Sequence, residues 1–491
     1  MNLLGNKTQR IHPLYVPVAN KLSYWRYTIR RHRNYKSIFA LLLFLCSVFF
    51  AALDLLDFVG GGLLYRVMYI VMLILSLLLR LFDTAKNFED RYTTVREIPG
   101  FFDDVQPPVT NNGKWHWDRI DLHMCSGAVE PVFRCEELDL WLRDDRQPIG
   151  IQRKLSSERT LNRMIGNDEN WQELYALFLR HNHREAMYSG KQFYNEAKYG
   201  IASELCPGKP VSIHKTCYFD SYLTHIIPGR ILLRNRDNAV LAELSVQNYP
   251  HHIPYTEDTS HKRTLKPVGS YVMANEPGVT TLCITKDGFI YLWRQNRSAQ
   301  SSAGLLAASG SGSVDWEDCK DFFQDEDGLR KAVIRGMNRE LWEESVGKRD
   351  VSGRVFCQHL DTRITGYFRW LKKAGKSEFV GISRLRDEYN EFSNALKPEV
   401  SEVISGEQLP AGTMYTLKTE LRQQLAGQVP PLQDPAAAAE PREYSVSCAM
   451  AMLSLHEVCE TYCHSSCPHN GACRNDQCPF HPYEVLFPEA T

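Results

Sequence analysis

A short run at residues 339–344, Arg-Glu-Leu-Trp-Glu-Glu, places three carboxylates beside an arginine. In a helix, Glu340, Glu343 and Glu344 share one face, because side chains three and four residues apart are neighbours. Clustered carboxylate oxygens are the ligands that Mg²⁺ and Mn²⁺ prefer in proteins. A solvated acidic face on a surface helix is the other interpretation of the same run. The run therefore predicts either a cation site or an exposed helix face.

The spacing of apolar residues predicts that this run lies at the end of a helix over residues 328–345. An apolar stripe with helical spacing lies beside the carboxylates, which indicates that the helix packs on a core. The stripe consists of Leu329, Val333, Met337 and Leu341.

The segments around the helix predict strands. Residues 279–286 and 289–294 are apolar and flank the turn pair Asp287-Gly288, so they predict a β-hairpin. Residues 301–313 are rich in Ser, Gly and Ala and predict a flexible loop, and residues 379–383 predict another strand.

In motif and in the order of its elements, the segment 266–405 resembles a Nudix domain, whose motif contains Arg-Glu-hydrophobic-x-Glu-Glu. In that family the helix carboxylates bind divalent cations, which engage the diphosphate of a nucleoside-diphosphate derivative. The resemblance implies that Glu340, Glu343 and Glu344 bind Mg²⁺ or Mn²⁺. It also implies that Arg339 orients these carboxylates on the nucleotide-binding face of the helix.

The run departs from the family motif at its flanks. Lys331 stands where the family has a glutamate, and Asp325 stands where it has a glycine. Val346 separates Ser345 from the closing glycine. A cation near the carboxylates opposes metal binding, and phosphoanhydride cleavage needs correctly placed metals and water. The sequence therefore predicts nucleotide binding without hydrolysis, with Mg²⁺-dependent Nudix hydrolysis of a nucleoside diphosphate derivative as the alternative.

The N-terminal region predicts a membrane anchor. Residues 1–36 contain many lysines and arginines and no acidic residue, and two long apolar runs follow within residues 37–82. Each run approaches the roughly 20 residues that cross a bilayer, so they predict a two-helix transmembrane hairpin. A cleaved signal peptide is the competing interpretation of the first run. By the positive-inside rule, the N-terminus and all residues after 82 are predicted to be cytoplasmic.

Two charged residues lie within these apolar runs, Asp54 and Arg66. Charge inside a bilayer is costly and tends to face a partner or water, so they predict a paired or pore-facing set. Placement at the membrane interface, with the side chains reaching to water, is the alternative.

Residues 83–265 predict a mixed α/β connector domain. Within it, residues 171–180 and 190–205 predict helices, whereas residues 230–234 and 240–246 predict strands. We find no phosphate-binding loop motif and no nucleophile elbow in the sequence. The formal net charge of −1 does not indicate nucleic-acid binding by the chain as a whole.

The C-terminal part predicts a linker over residues 406–442, followed by a helix and a Cys/His-rich tail over residues 443–491. In a reducing cytosol, dense cysteines favour zinc over disulfides. The candidate zinc ligands are Cys463, Cys467, Cys473, Cys478 and His481. Free or redox-sensitive thiols are the alternative, and reversed membrane topology would favour disulfides.

The order of these segments resembles the two-transmembrane, SMODS-associated Nudix-type effectors of bacterial CBASS anti-phage systems. The resemblance implies that a cGAS-like nucleotidyltransferase makes a cyclic oligonucleotide, which the cytosolic domain binds. It further implies oligomerisation and disruption of the bacterial inner membrane, leading to abortive infection. A third possibility is a membrane adaptor whose Nudix-like domain binds only protein.

The predicted fold class is α+β. It comprises a two-helix transmembrane hairpin, a connector domain, a Nudix-like α/β/α sandwich and a Cys-rich C-terminal tail.

Overall fold

The computed structural model describes residues 16–32, 71, 74, 93–109, 115–124, 126–167, 169–189, 193–249, 253–284, 289–295, 305–345, 360–385, 403–410, 425 and 443–466. The helices of this part of the chain are α1 (Val16–His32), α2 (Glu136–Arg143), α3 (Leu155–Asn167), α4 (Glu169–Ser189), α5 (Tyr218–Ser221), α6 (Trp316–Cys319), α7 (Gly328–Ser345) and α8 (Val446–Ser466). A π-helical turn spans Tyr222–Ile226, and a 3-10 turn spans Leu371–Lys373.

The strands are β1 (Thr93–Glu97), β2 (Asp118–His123), β3 (Val129–Arg134), β4 (Ile151–Arg153), β5 (Ala197–Ile201), β6 (Val211–Cys217), β7 (Arg230–Arg234), β8 (Val240–Glu243), β9 (Tyr255–Glu257), β10 (Arg263–Leu265), β11 (Gly278–Ile284), β12 (Phe289–Gln295), β13 (Leu306–Ala307), β14 (Gly310–Ser313), β15 (Leu360–Trp370), β16 (Lys376–Leu385) and β17 (Val403–Pro410).

The chain divides into two compact units. The first takes residues 1–98, 162–195 and 230–243, and the second takes residues 99–161, 196–229 and 244–491. In the first unit, β1, β7 and β8 form an antiparallel sheet. The side-chain carbonyl of Asn20 accepts a hydrogen bond of 2.8 Å from the backbone N–H of Phe193. The Tyr24 ring lies 4.4 Å from that of His183, which joins α1 to α4.

The second unit is built on a mixed sheet in which β11 and β16 run parallel. Its strand order is β13-β12-β11-β16-β15-β3-β2, with β14 paired to β11 and β17 paired to β12. A smaller sheet has the order β4-β6-β5, and β9 and β10 form a two-stranded ribbon. The long strands β15 and β16 pair antiparallel along most of their length. The strand order places them at the centre of the large sheet.

Helices cover both faces of the large sheet. Successive strand residues point to opposite faces, and Phe379 and Val380 of β16 accordingly belong to two separate apolar clusters. The cluster around Phe379 contains Val333 and Met337 of α7. The cluster around Val380 contains Met450 of α8. Each fully buried side chain of this size contributes about 1.5–3 kcal/mol, so the two helices stabilise the sheet from both sides.

The membrane part of the predicted fold class is corrected. In the described ranges, we find no helix that combines the length and apolar character needed to span a bilayer. Helix α1 contains Lys21, Arg26, Arg30 and Arg31 within 17 residues. The more apolar helix α8 directs its apolar side chains into the core of the second unit.

The described residues are therefore mixed α/β, with more strands than helices, and no transmembrane hairpin is present among them. The predicted multi-pass location in the bacterial inner membrane is corrected by the same finding, as is the pore-forming role that depended on it. Except for residues 71 and 74, the segment 37–82 lies outside the described residues, and so do Asp54 and Arg66.

Several local predictions are confirmed. Helix α7 has the bounds that the sequence predicts, and its four stripe residues are fully buried. The two strands of the predicted hairpin, β11 and β12, pair antiparallel, while their turn at 285–288 lies outside the described residues. The strand predicted over 230–234 is β7, and the strand predicted over 379–383 lies within β16.

Two local predictions are wrong. The helix predicted over residues 190–205 is replaced by β5, which pairs antiparallel with β6, so sheet pairing overrides the local apolar spacing. The loop predicted over residues 301–313 contains β13 and β14. The glycines of β14 permit close packing against α7 and do not make the segment a flexible loop.

Buried His225 makes the stability of the second unit depend on pH. Its side chain lies in the π-helical turn, and Nδ1 is 3.1 Å from the carbonyl oxygen of Lys373. Burial, reinforced by the charge of Lys376, lowers the pKa of His225 from 6.5 to about 3. The unfolded chain therefore binds a proton near pH 6.5 that the folded chain binds only near pH 3. Stability from this residue is present above pH 6.5 and is lost as the pH falls towards 3.

The substitution His225→Asn removes this titration and keeps an N–H donor for Lys373. Between pH 6.5 and 4, the free energy of unfolding of the unsubstituted protein should fall more steeply than that of the variant, by about 1.4 kcal/mol per pH unit. Urea unfolding at several pH values measures both slopes. Asp139, whose pKa burial raises to about 6 against the opposing effect of Arg134, contributes with the opposite sign in both proteins. Parallel pH curves would contradict the assignment to His225.

Candidate functional site

The acidic helix α7 packs very closely on strand β14, and two glycines permit this approach. A methyl group on Gly310 would lie 2.6 Å from both the backbone nitrogen and the Cα of Leu341. A methyl group on Gly312 would lie 2.3 Å from the carboxyl carbon of Glu340. The Ser-Gly sequence of β14 is therefore the surface on which the carboxylate end of α7 rests.

Two of the three carboxylates bind backbone N–H groups of β14. Glu344 Oε2 accepts a hydrogen bond of 2.9 Å from Ser311, and Glu340 Oε1 accepts one of 3.3 Å from Ser313. Alternate residues of a strand present their N–H groups to the same edge. β11 pairs with β14 at one edge, so the glutamates of α7 satisfy N–H groups at the other. These carboxylates thus close a strand edge that would otherwise lack partners.

Arg339 donates to four acceptors, two of them outside α7 and two on α7 itself. Its Nη2 donates to Asp318 at 3.0 Å and to the carbonyl of Ser313 at 2.7 Å. Its Nη1 donates to Glu340 at 2.8 Å and to Glu343 at 3.2 Å. Burial opposes the charged guanidinium, but Glu340, Asp318 and Asp315 outweigh it and raise the pKa of Arg339 well above its usual value. The guanidinium is therefore the charge that holds the carboxylates together.

Asp318, the partner of Arg339, is itself positioned by a capping box at the start of α6. The Asp315 side chain accepts from the backbone of Asp318, and Asp318 Oδ2 accepts from the backbone of Asp315 at 2.8 Å. This reciprocal arrangement satisfies the first N–H groups of the helix. It also directs both carboxylates towards Arg339.

Lys198 is a second buried cation in the cluster. Its Nζ lies 2.6 Å from Asp315 Oδ1 and 3.2 Å from Glu196 Oε2. Burial opposes its charge, but Asp315 and Glu196 raise the pKa of Lys198 above its usual value. Sequence reasoning missed this residue, because Lys198 lies in the segment that was predicted as a helix.

The titration of Glu340 reflects these surroundings. Burial is the largest influence and raises its pKa, and Asp315 adds to that effect, whereas Arg339 and Lys198 oppose it. Two cations are thus interleaved with the carboxylates Asp315, Asp318, Glu340 and Glu343. The two cations compensate half of these four carboxylates, so the cluster keeps an excess of negative charge.

The structure brings Glu340, Glu343 and Glu344 to one side of α7, as the spacing predicts, but assigns them partners within the protein. Arg339 bridges Glu340 and Glu343, and β14 binds Glu340 and Glu344. Within the described ranges, no three His, Cys, Asp or Glu side chains are grouped so that they could hold a metal ion. Lys331 pairs with Asp325 at 2.6 Å, so its predicted effect on the carboxylates is replaced by a local ion pair.

Most of the predicted zinc ligands lie outside the described residues. Cys463 falls within α8, but its side chain is not among those described. Cys467, Cys473, Cys478 and His481 lie outside the described residues.

Comparison with known proteins does not identify a family. No family model matches the chain, and no curated protein matches it. Among solved structures, the chain is similar to that of DR0079 from Deinococcus radiodurans, with 16% sequence identity. The alignment covers 37% of this chain and 82% of that one, with a TM-score of 0.21. A similarity at this TM-score supports no conclusion about fold or function.

The substitution Arg339→Met tests the role of the guanidinium. Removing one partner from a buried ion pair leaves uncompensated charge, so the free energy of unfolding should fall by about 3–5 kcal/mol. Urea unfolding at neutral pH measures the change.

Arg335→Met is a matched control on the same helix. Arg335 pairs with Asp321 at 2.8 Å, but both side chains are substantially exposed, and the guanidinium lies over the ring of Phe322. The expected loss is about 1 kcal/mol or less. Equal losses for the two variants would show that the Arg339 cluster is no more important than a surface pair.

The substitution Gly310→Ala tests the contact between α7 and β14. The added methyl group meets backbone atoms of Leu341, which cannot rotate away, so the loss of stability should be at least about 1–3 kcal/mol. Gly150→Ala is the control, since a methyl group there lies 3.4 Å from the nearest atom, a carbonyl oxygen. Its effect should stay below about 1 kcal/mol. Thermal or urea unfolding that ranks Gly150→Ala as the more damaging change would contradict this packing.

Proposed function

We propose that this chain is a nucleotide-binding sensor that does not hydrolyse its ligand, built on a Nudix-like domain. The observation that carries the proposal is the internal use of the motif carboxylates. Glu340 and Glu344 accept hydrogen bonds from β14, and Arg339 bridges Glu340 and Glu343. The resemblance of residues 266–405 to Nudix domains supports the choice of ligand class.

Hydrolysis would require a rearrangement of this cluster. Metal-assisted phosphoryl chemistry needs cations held by carboxylates and a positioned water. A Mg²⁺ ion bound between Glu340 and Glu343 would have to displace the Arg339 Nη1 hydrogen bonds of 2.8 Å and 3.2 Å. It would also lie close to a guanidinium whose charge repels it. These costs favour a domain that binds a ligand and releases it unchanged.

The positive charges of Arg339 and Lys198 offset two of the four carboxylates Asp315, Asp318, Glu340 and Glu343, so the ligand class rests on the resemblance and not on the charge of this cluster. The resemblance to CBASS effectors points to a cyclic oligonucleotide as the ligand, supplied by a cGAS-like nucleotidyltransferase. Oligomerisation after binding is the output that this resemblance implies. Membrane disruption is not part of the proposal.

A Mg²⁺-dependent pyrophosphohydrolase is the second candidate. The observation in its favour is that Glu340, Glu343 and Glu344 occupy one side of the last turns of α7, and that Glu340 and Glu344 approach the same short strand. If Mg²⁺ displaces Arg339, the carboxylates would become its ligands.

Ligand binding and ligand recovery distinguish the two functions. The full chain is mixed with cyclic di- and trinucleotides or with linear nucleoside diphosphate derivatives, each in Mg²⁺ and in EDTA. Saturation at 100 times the dissociation constant should stabilise the folded protein by about 2.7 kcal/mol, seen as a rise in melting temperature. We expect a cyclic oligonucleotide to give this rise in both buffers and to be recovered intact by chromatography.

The double variant Glu343→Gln, Glu344→Gln serves as the control for turnover. If the unsubstituted protein consumes a ligand in Mg²⁺ and the double variant does not, the chain is a hydrolase and the sensor proposal is wrong. Absence of binding across the nucleotide panel would contradict both candidates.

A further inference from the structure

A cavity of about 190 Å³ lies in the second unit and shares no residue with the α7 cluster. Lys154 and the start of α3 form one part of its wall, and the helix supplies Ser156, Ser157 and Thr160. His214 of β6 lies in the wall as well. Among the residues that line it, Lys154 carries a positive charge and none is acidic. The lining is therefore suited to an anion.

The start of α3 adds backbone donors to this lining. The first N–H groups of a helix lack partners within the helix, and the helix dipole makes this end positive. Lys154 directly precedes α3, and a lysine side chain cannot accept a hydrogen bond from these N–H groups. The N–H of Ser157 reaches the carbonyl of Lys154 at 3.2 Å, a bond of the tight 3-10 type. An oxyanion is the natural acceptor at such a helix end.

Lys154 is held near the cavity by a weak contact. Its Nζ donates to the carbonyl of Ala202 at 3.4 Å, and an ammonium group has three N–H bonds. The donor can therefore turn towards a ligand without losing a strong partner. Glu158, in the first turn of α3, pairs with Arg153 at 3.2 Å and is not part of the lining.

His214 is the second, independent observation. It is only 1% exposed, and neither ring nitrogen makes a hydrogen bond of good geometry within the described residues. Burial and the charge of Lys154 lower its pKa to about 4, against an opposing interaction with the backbone of Met273. A neutral imidazole still has one N–H donor. The backbone of Met273 can satisfy one ring nitrogen at most, so at least one buried polar atom lacks a partner, at a cost of about 1–3 kcal/mol that a ligand with acceptor oxygens would recover.

We propose that this cavity binds a phosphate group, through Lys154, the N-terminus of α3 and the imidazole of His214. The volume admits an inorganic phosphate or the phosphate end of a small ester, but it is below the 300–1,000 Å³ typical of sites for drug-sized ligands. The site is independent of the proposed nucleotide sensor, because none of its residues belongs to the acidic helix.

The test uses the full chain and inorganic phosphate, with ribose 5-phosphate as the ester and chloride at equal ionic strength as the control. We expect saturable binding of phosphate or of the ester by isothermal titration calorimetry. Saturation by phosphate alone identifies the free ion as the ligand, and tighter binding of ribose 5-phosphate identifies an ester.

The variant Lys154→Met keeps the length of the side chain and removes its charge. Loss of a charged hydrogen bond should weaken phosphate binding about tenfold or more. The exposed Lys209→Met is the matched control and should leave binding unchanged. His214→Leu should weaken binding by a similar factor, with the melting temperature in chloride confirming that it folds. If His214→Leu does not fold, Lys154→Met alone decides the result.

Absence of saturable binding to the unsubstituted protein would overturn the proposal. So would equal affinity of Lys154→Met and Lys209→Met, because phosphate would then bind elsewhere. Both readouts use phosphate or its ester, so their failure is distinct from a failure to bind cyclic oligonucleotides.

Discussion

The guanidinium of Arg339 is the interaction on which the candidate site depends. It joins the C-terminal half of α7 to the capping box of α6 through Asp318 and to β14 through the carbonyl of Ser313. Without this cation, Asp318, Glu340 and Glu343 would lie close together with too little positive charge between them. Because an isolated buried charge is very costly, the positions of three elements follow from one side chain. A sequence run that suggests a cation site thus contains its own cation.

Local periodicity correctly predicted those elements in which the apolar residues of the sequence pattern are also the residues that pack on the core. The stripe Leu329, Val333, Met337, Leu341 is the face that α7 buries, so the predicted and observed bounds coincide. The same reasoning failed for β14, because Gly310 and Gly312 indicate flexibility in isolation and close packing only when α7 is present. It also failed over residues 190–205, where pairing with β6 determines the conformation of β5.

The candidate site was predictable in composition but not in chemistry. The spacing correctly predicts that Glu340, Glu343 and Glu344 lie on one side of α7. It does not predict that backbone N–H groups of β14 donate hydrogen bonds to two of these carboxylates. Lys198 and Asp315 are 117 residues apart, and no local pattern connects them. The apolar N-terminal runs were interpreted from length and hydropathy alone. By the same criteria, no helix in the described part of the chain is long and apolar enough to span a membrane.

The position of α8 in the chain determines when the large sheet can be completed. The backbone N–H of Leu306 in β13 donates to the carbonyl of Glu443 at 2.8 Å, and its carbonyl accepts from the N–H of Ser445 at 2.8 Å, just before α8 begins. Arg134 of β3 forms an ion pair with Glu457 of α8, 323 residues away. Contacts of such sequence separation are slow to form, because a long loop must close before they stabilise anything. During synthesis, this face of the sheet therefore stays uncovered until α8 emerges from the ribosome.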